Sequence, residues 1–396
     1  MRILIAEDDP YSRRILQRRL EKWNHQVVVA CDGKEAWEHF LAGDFSVVIS
    51  DWMMPEMDGV ELVRRIRASV KPGYVYTIIL TAKDRKEDLL EGMDAGADEF
   101  LVKPFDADEL RARLRAGERI VRLEQNLAQR NIALEAANRR MREDLEAAAR
   151  IQESLLPNVM PQVEGLNFAW QFKPCDELAG DIFNVLKLDE NHVALYVLDV
   201  SGHGVPAALL SVTLSRLLTP TNDQSSLLLQ SGNGTPEPQI VSPAEVANRL
   251  NKQFQIDNHI GQYFTLLYGI IDVEKMVLQF VSAGHPGLLH LRAGRDARVV
   301  EVSGFPIGFQ EHSAYEAETL QLVPGDRLIL YSDGIIETRN SEEELFGKER
   351  FVKLFRSAAL FTLSNSLNFV MKKVADWRGT DRFEDDVTVL AVEVQG

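Results

Sequence analysis

Cysteine is nearly missing from this chain: 2 residues in 396, Cys31 and Cys175, lie in different segments. That argues against a structural disulfide or a cysteine metal site and fits a reducing, cytoplasmic setting. Long apolar runs are missing too. None approaches the ~20 residues of a membrane span, so no membrane association is expected. The opening Met1–Glu7 meets acidic sequence at once and does not read as a signal peptide. Basic charge is in deficit, with 44 Lys and Arg against 60 Asp and Glu and a net charge of −16. Nucleic acid is therefore not expected as a partner. The arginines between Arg111 and Arg142 interleave with Glu124, Glu135, Glu143 and Asp144 and read as a solvated helix face. Proline is absent between Pro104 and Pro157, and Gly117 is the single glycine in that interval.

A helix fills the gap. Ile120, Leu127, Leu134, Met141, Ala148 and Leu155 recur at a strict heptad spacing. Such a repeat favours supercoiling against a second helix. The spacing predicts one long helix over Arg119–Leu156 that pairs as a homodimeric coiled coil; a solvated spacer helix is the alternative. The companion positions are mixed: Leu123, Arg130, Ala137, Asp144 and Ile151. Arg130 and Asp144 would weaken the middle of the seam. The length allows about two or three domains, and the expected division is 1–118, 119–157 and 158–396.

In residues 1–118 apolar runs alternate with amphipathic stretches. Strands are expected at Arg2–Ala6, Gln26–Ala30, Val47–Ser50, Tyr76–Leu80 and Glu99–Val102. Helices are expected near Ser12–Lys22, Gly33–Ala42, Gly59–Ala68, Lys86–Ala95 and Asp108–Arg115. This pattern implies a parallel sheet covered on both faces. Ligands then sit beyond the carboxyl ends of the strands. Glu7 and Asp8 follow strand one, Asp51 follows strand three, Thr81 strand four and Lys103 strand five. Three carboxylates in one crevice repel one another, and Mg²⁺ resolves the repulsion with oxygen ligands. Lys103 and Thr81 supply donors for a phosphoryl group, with Asp51 as its acceptor.

Glu7-Asp8-Asp9-Pro10, Ser50 to Gly59, Leu80-Thr81-Ala82 and Val102-Lys103-Pro104-Phe105 resemble the response-regulator receiver family, whose fold is a flavodoxin-like, five-stranded parallel sheet. The resemblance implies that Asp51 takes a phosphoryl group from a sensor histidine kinase. It implies Mg²⁺ on Glu7, Asp8, Asp51 and the carbonyl of Met53, and a switch pair of Thr81 and Phe100. Phe100 stands where tyrosine is commoner. Asp9 reads as solvated and Asp58 as a turn residue.

Beyond Pro157 strands dominate: Phe168–Phe172, Ile182–Lys187, His192–Asp199, Tyr263–Asp272, Val277–Ala283, Leu288–Arg292, Arg327–Tyr331 and Val387–Val394. Helices are expected near Pro206–Leu218, Pro243–Asn258, Gly347–Leu360 and Ser366–Trp377. This implies antiparallel sheets with helices outside. Ser303–Glu318 reads as loop and Thr219–Ile240 as a flexible insertion. Asp181, Asp199, Asp333 and the pair Asp385-Asp386 each stand at the mouth of an apolar strand. One such aspartate is an ordinary turn residue. Together they suggest a shared cavity that selects two Mg²⁺ or Mn²⁺ ions over zinc. Such a pair can support in-line displacement at phosphorus.

Glu177 to Phe183, Asp199 to Ala208, Ser282 to Pro286, Tyr331 to Gly334 and Asp385 to Val389 resemble the PPM (protein phosphatase 2C-like) phosphatases, in the bacterial branch tied to sporulation and stress. Ala149 to Pro157 is similar to that branch's leading helix. The resemblance implies an α+β fold of two antiparallel sheets and hydrolysis of phosphoserine or phosphothreonine in a protein. It also implies an anti-sigma-factor antagonist as substrate in a partner-switching pathway. Asp199 would bridge both ions. Asp181 and the Val200 carbonyl would serve one, Asp333 and Asp385 the other, and Asp386 could exchange with Asp385. His203 is a candidate acid for the leaving serine. His285 reads as a loop-shaping residue, and Asn184 stands where an aspartate is common. Two functions follow: a phosphorylation-controlled phosphatase, or a phosphorylation-controlled adaptor that binds a sigma factor or regulator with a vestigial phosphatase fold.

Overall fold

A computed structural model describes every residue except 72, 83–91, 158, 221–225, 231–238, 256–260 and 294–296. The chain divides into two units, Met1–Arg140 and Met141–Gly396.

The first unit carries β1 (Arg2–Ala6), β2 (Gln26–Ala30), β3 (Val47–Asp51), β4 (Tyr76–Thr81) and β5 (Glu99–Val102). They form one parallel sheet in the order β2-β1-β3-β4-β5. Both faces are covered, so the strands are apolar at nearly every position. Ile3, Ile5, Ile49 and Leu80 face a core with Leu16, Leu20, Leu110 and Leu114. Leu4, Ala6 and Val48 face the other way, onto Phe40, Leu62 and Ile66. Helices Pro10–Lys22, Gly33–Ala42 and Gly59–Ala68 each begin on an aspartate. The side chains of Asp9, Asp32 and Asp58 accept from the amides of Ser12, Glu35 and Glu61 at 2.7 Å. Such a cap stabilises a helix by about 1 kcal/mol. The expected helix Lys86–Ala95 falls largely on 83–91, outside the described residues.

The expectation of two separate helices, Asp108–Arg115 and Arg119–Leu156, is corrected. One helix of 47 residues runs from Ala107 to Glu153. Gly117, the one residue that invited a break, is a packing residue. A Cβ there would lie 2.4 Å from Tyr76 Cδ1, so glycine lets the helix seat on β4 beside Leu114 and Val121. The heptad residues Leu127, Leu134 and Met141 are more than half exposed. Ser154–Leu156 leaves the helix in a turn before Pro157.

The second unit has β6 (Leu166–Lys173), β7 (Ile182–Lys187), β8 (His192–Val200), β9 (Leu229–Gln230), β10 (Gln239–Ile240), β11 (Phe264–Asp272), β12 (Val277–Ala283), β13 (Leu288–Leu291), β14 (Ala297–Val300), β15 (Glu318–Gln321), β16 (Arg327–Tyr331) and β17 (Val387–Val394). Two antiparallel sheets form, β15-β12-β11-β8-β7 and β14-β13-β16-β17-β6. Alternation within β16 and β17 shows how the layers stack. Leu328, Leu330, Leu390 and Val392 join the core shared with β8, β11 and helix Val205–Leu217. Ile329, Tyr331, Val389 and Ala391 face helices Lys348–Ser357 and Leu363–Arg378.

Two expectations change here. The short strands β14 and β15 were not anticipated, because Ala297–Val300 and Glu318–Gln321 are too brief and too polar to stand out. Part of the supposed insertion Thr219–Ile240 is ordered by burial: Leu227, Leu228 and Leu229 enter the core, and β9 pairs with β10. Residues 221–225 and 231–238 of it lie outside the described residues, as does the end of the expected helix Pro243–Asn258, which is described as Pro243–Gln253.

Candidate functional site

In the first unit the strand order sets the chemistry. β1 and β3 are neighbours, so Glu7 and Asp8 lie beside Asp51. Their ligand oxygens and one of Asp51 fall within 4.8 Å of one another. Lys103 reaches them from beyond β5, with Nζ 2.8 Å from both Glu7 Oε2 and Asp51 Oδ2. Asp51 Oδ1 accepts from the Trp52 amide at 2.8 Å. Burial raises the Glu7 carboxyl, Lys103 lowers it, and Asp51 pushes it up again; the net shift is upward. Burial alone would lower the Lys103 ammonium, but hydrogen bonds to Asp51 and Glu7 outweigh it and the net shift is upward. An all-carboxylate triad with one cation and a half-exposed mouth fits a hard divalent ion. Gly59 closes the loop after Asp51: a Cβ there would sit 2.1 Å from the Asp51 carbonyl oxygen.

Thr81 ends β4, fully buried, and its carbonyl accepts from the Lys103 amide at 2.7 Å. Phe100 lies on the adjacent strand, paired with Ile79. Its ring packs 6.2 Å from the Trp52 ring and over Gly92, where a Cβ would lie 2.5 Å from Phe100 Cζ. Met53 is in the loop after β3 with its side chain exposed. Asp9 and Asp58 are helix caps and take no place in the triad.

In the second unit each sheet contributes two carboxylates to one basin. Asp181 precedes β7 and Asp199 is the penultimate residue of β8. Asp333 follows β16 and opens the short helix Asp333–Ile336; Asp385 precedes β17. Burial pushes the Asp199 carboxyl up to about 8, with help from Asp333, Asp385 and Asp386. Asp181 is raised well above the carboxylate range by burial, then by Asp199 and Asp386. Asp333 is raised to about 6 by burial, then by Glu337 and Asp385. The charges acting most strongly on these three are all negative. Buried, mutually repelling carboxylates of this kind fit cations. No three of the four bring their ligand oxygens within 4.8 Å, whereas Cys175, Asp385 and Asp386 do. The four therefore line a basin wider than one coordination sphere.

Asp386 has a different task from Asp385. Its Oδ1 accepts from the Cys175 amide at 2.8 Å, and its Oδ2 accepts from the amides of Gly180 at 2.7 Å and Asp181 at 3.4 Å. The buried carboxylate is thus a clasp for the loop that carries Asp181. Thr388 Oγ1 donates to Asp181 Oδ2 at 2.6 Å. Gly180 lets that loop approach β8, since a Cβ there would be 3.0 Å from the Val200 carbonyl oxygen. Asp385 is exposed.

The histidines divide as well. His203 is exposed, with Nδ1 3.2 Å from Asp176 Oδ2. His285 is buried and its Nδ1 pairs with Thr265 Oγ1 at 2.7 Å. Thr265 is the cross-strand neighbour of Asp199. Burial pushes the His285 imidazole down to about 3, so it is a neutral wall of the site. The Asn184 side-chain oxygen accepts from the Val185 amide at 2.8 Å.

Several residues here escaped the sequence reading. Gln152, in the last turn of the long helix, is buried. Its Nε2 donates to the Ala179 carbonyl at 2.6 Å and to Ser211 Oγ at 3.0 Å, and its Oε1 accepts from the Ala179 amide at 3.0 Å. Nothing marks one buried glutamine in a helix rich in charge. Glu337, Cys175 and Asp176 join the rim by folding alone.

The Stage II sporulation protein E (SpoIIE) family matches residues 189–395, and the response regulator receiver domain matches residues 3–115. Protein IcfG of Synechocystis sp. is 24% identical over 275 residues, 66% of this chain and 43% of that protein. Phosphoserine phosphatase RsbP of Bacillus subtilis is 28% identical over 200 residues, 49% of this chain and 45% of that protein. The chain thus spans less than half the length of these relatives. The SiaA-PP2C domain of Pseudomonas aeruginosa superposes with a TM-score of 0.55 at 20% identity, covering 66% of this chain and 99% of that one. At that identity the likeness speaks to the fold alone. The chain belongs to the SpoIIE family, and its N-terminal unit is a response regulator receiver domain.

Proposed function

We propose that this chain is a response regulator whose output is a metal-dependent protein serine/threonine phosphatase. The observation that carries the reading is the basin of Asp181, Asp199, Asp333 and Asp385, drawn from four strand ends and raised in pKa with no compensating lysine or arginine among their strongest influences. Two Mg²⁺ or Mn²⁺ ions, when bound, neutralise these carboxylates and polarise a phosphoryl group toward attack by water. Asp199 would be shared by both. Asp181 and the Val200 carbonyl would serve one, Asp333 and Asp385 the other, while Asp386 holds the Asp181 loop. A basin of this kind has no purpose in an adaptor, which favours the enzyme. The test is phosphate release from a phosphoserine protein with Mn²⁺. Asp333→Asn is expected to lower the rate by about 100-fold or more; full activity in that variant would contradict the reading.

In the receiver, Asp51 accepts a phosphoryl group from a sensor histidine kinase. Glu7, Asp8, Asp51 and the Met53 carbonyl would hold Mg²⁺. The Lys103 ammonium, now bridging Glu7 and Asp51, turns to the new phosphoryl oxygens, and Thr81 and Phe100 register its arrival. The exposed stripe of Leu127, Leu134 and Met141 supports a homodimer through the long helix. Gln152 supports the route of control: helix pairing shifts the last turn, and the buried amide passes the shift to Ala179, two residues before Asp181, and to Ser211. The likeness to RsbP supports a phosphoserine substrate, for which we favour an anti-sigma-factor antagonist in a partner-switching pathway.

A further inference from the structure

We propose that Asp176 is the positioning residue of a proton-donating dyad, holding His203 where it can protonate the serine oxygen that leaves phosphorus. The inference rests on the phosphatase reading above.

His203 lies between Gly202 and Gly204. Both glycines have left-handed backbone, with φ of 87° and 78°, and open space where a Cβ would be. The loop after β8, which follows directly on Asp199 and Val200, therefore carries His203 into solvent. Its Nδ1 is 3.2 Å from Asp176 Oδ2. Asp176 is held in turn: its neighbour Cys175 donates its amide to the Asp386 carboxylate, as Gly180 does further along the same loop. The segment that carries Asp181 thus also carries the partner of His203. The pair lies beside the basin, since Cys175, the residue before Asp176, brings its Sγ within 4.8 Å of carboxylate oxygens of Asp385 and Asp386. An imidazole that faces a carboxylate through Nδ1 leaves Nε2 for a second task.

The chemistry defines that task. Water's oxygen bonds to phosphorus while the bond from phosphorus to the serine oxygen breaks, and that electron pair goes to the serine oxygen. A serine alkoxide is a poor leaving group and needs a proton, which Nε2 of protonated His203 supplies. The proton released by the attacking water returns to solvent, and solvent reprotonates the imidazole. A p-nitrophenolate leaves without such help, so an acid matters far less for it.

The experiment compares a phosphoserine protein with p-nitrophenyl phosphate, using the full chain with Mn²⁺. His203→Ala is expected to lose about 100-fold in kcat on the phosphoserine protein, and at least about tenfold less on p-nitrophenyl phosphate. Asp176→Asn is expected to lose about tenfold in kcat on the phosphoserine protein with KM unchanged, and Asp176→Glu to recover most of it. Equal losses on the two substrates, or a wild-type kcat in Asp176→Asn, would overturn the dyad alone. A wild-type chain that hydrolyses neither substrate would overturn the phosphatase reading and the dyad with it.

Discussion

Asp385 and Asp386 are chemically identical neighbours with separate duties, and burial separates them. Asp386 satisfies three backbone amides in the interior, while Asp385 is exposed at the basin. Asp386→Ala strands those donors and should cost about 2–3 kcal/mol in urea unfolding. Asp385→Ala should cost less than about 1 kcal/mol. Sequence could place both residues at the mouth of β17 but could not divide their roles, because the amides come from a loop some two hundred positions earlier. The basin carboxyls also set a pH dependence. Asp199 and Asp181 have folded pKa values above their unfolded ones, so the native state binds protons that the unfolded chain has released. Their stabilisation is complete below about pH 4 and is lost as pH rises toward about 8 for Asp199. Without metal, the melting temperature of the second unit should therefore fall from pH 5 to pH 8. With Mn²⁺ the fall should shrink or reverse, and binding should release protons. Calorimetry at the two pH values, with chelator and with metal, measures both.

At the scale of elements, the core strands of the sheets were legible because each carries its own signal. β1 and β3–β5 are apolar runs that end on polar chemistry, and β16 and β17 alternate between two cores. β14 and β15 were not legible, since a four-residue edge strand is defined by its neighbour more than by its own side chains. The long helix was legible as a heptad, but its true start at Ala107 was hidden by Gly117. Glycine usually signals a break; here it answers a tertiary demand, the Tyr76 ring against the helix. Gly117→Ala is a sharp test. Helix propensity alone favours alanine by about 1 kcal/mol, whereas overpacking a buried ring costs about 1–3 kcal/mol. The added methyl meets one edge of a ring that is almost wholly buried, so the variant should destabilise the receiver. A more stable receiver in urea unfolding would show that the helix seats differently.

At the scale of the whole molecule, a receiver unit and a phosphatase-fold unit share one continuous helix. Its exposed apolar stripe is interrupted at Arg130 and Asp144, which suits an element with two pairings of similar free energy. Coupling between sites in such systems is typically worth about 1–3 kcal/mol, or about 5–150-fold in an equilibrium. On the proposed function, Asp51 governs the basin through this helix. The most direct measurement is the rate of phosphoserine hydrolysis, with mass in solution recorded on the same samples, before and after treatment with an acyl-phosphate donor, in wild type and Asp51→Asn. A change of about fivefold or more in wild type, accompanied by a change in helix pairing or mass and absent from Asp51→Asn, is the predicted result. An identical rate in both states of the wild-type chain would contradict the account.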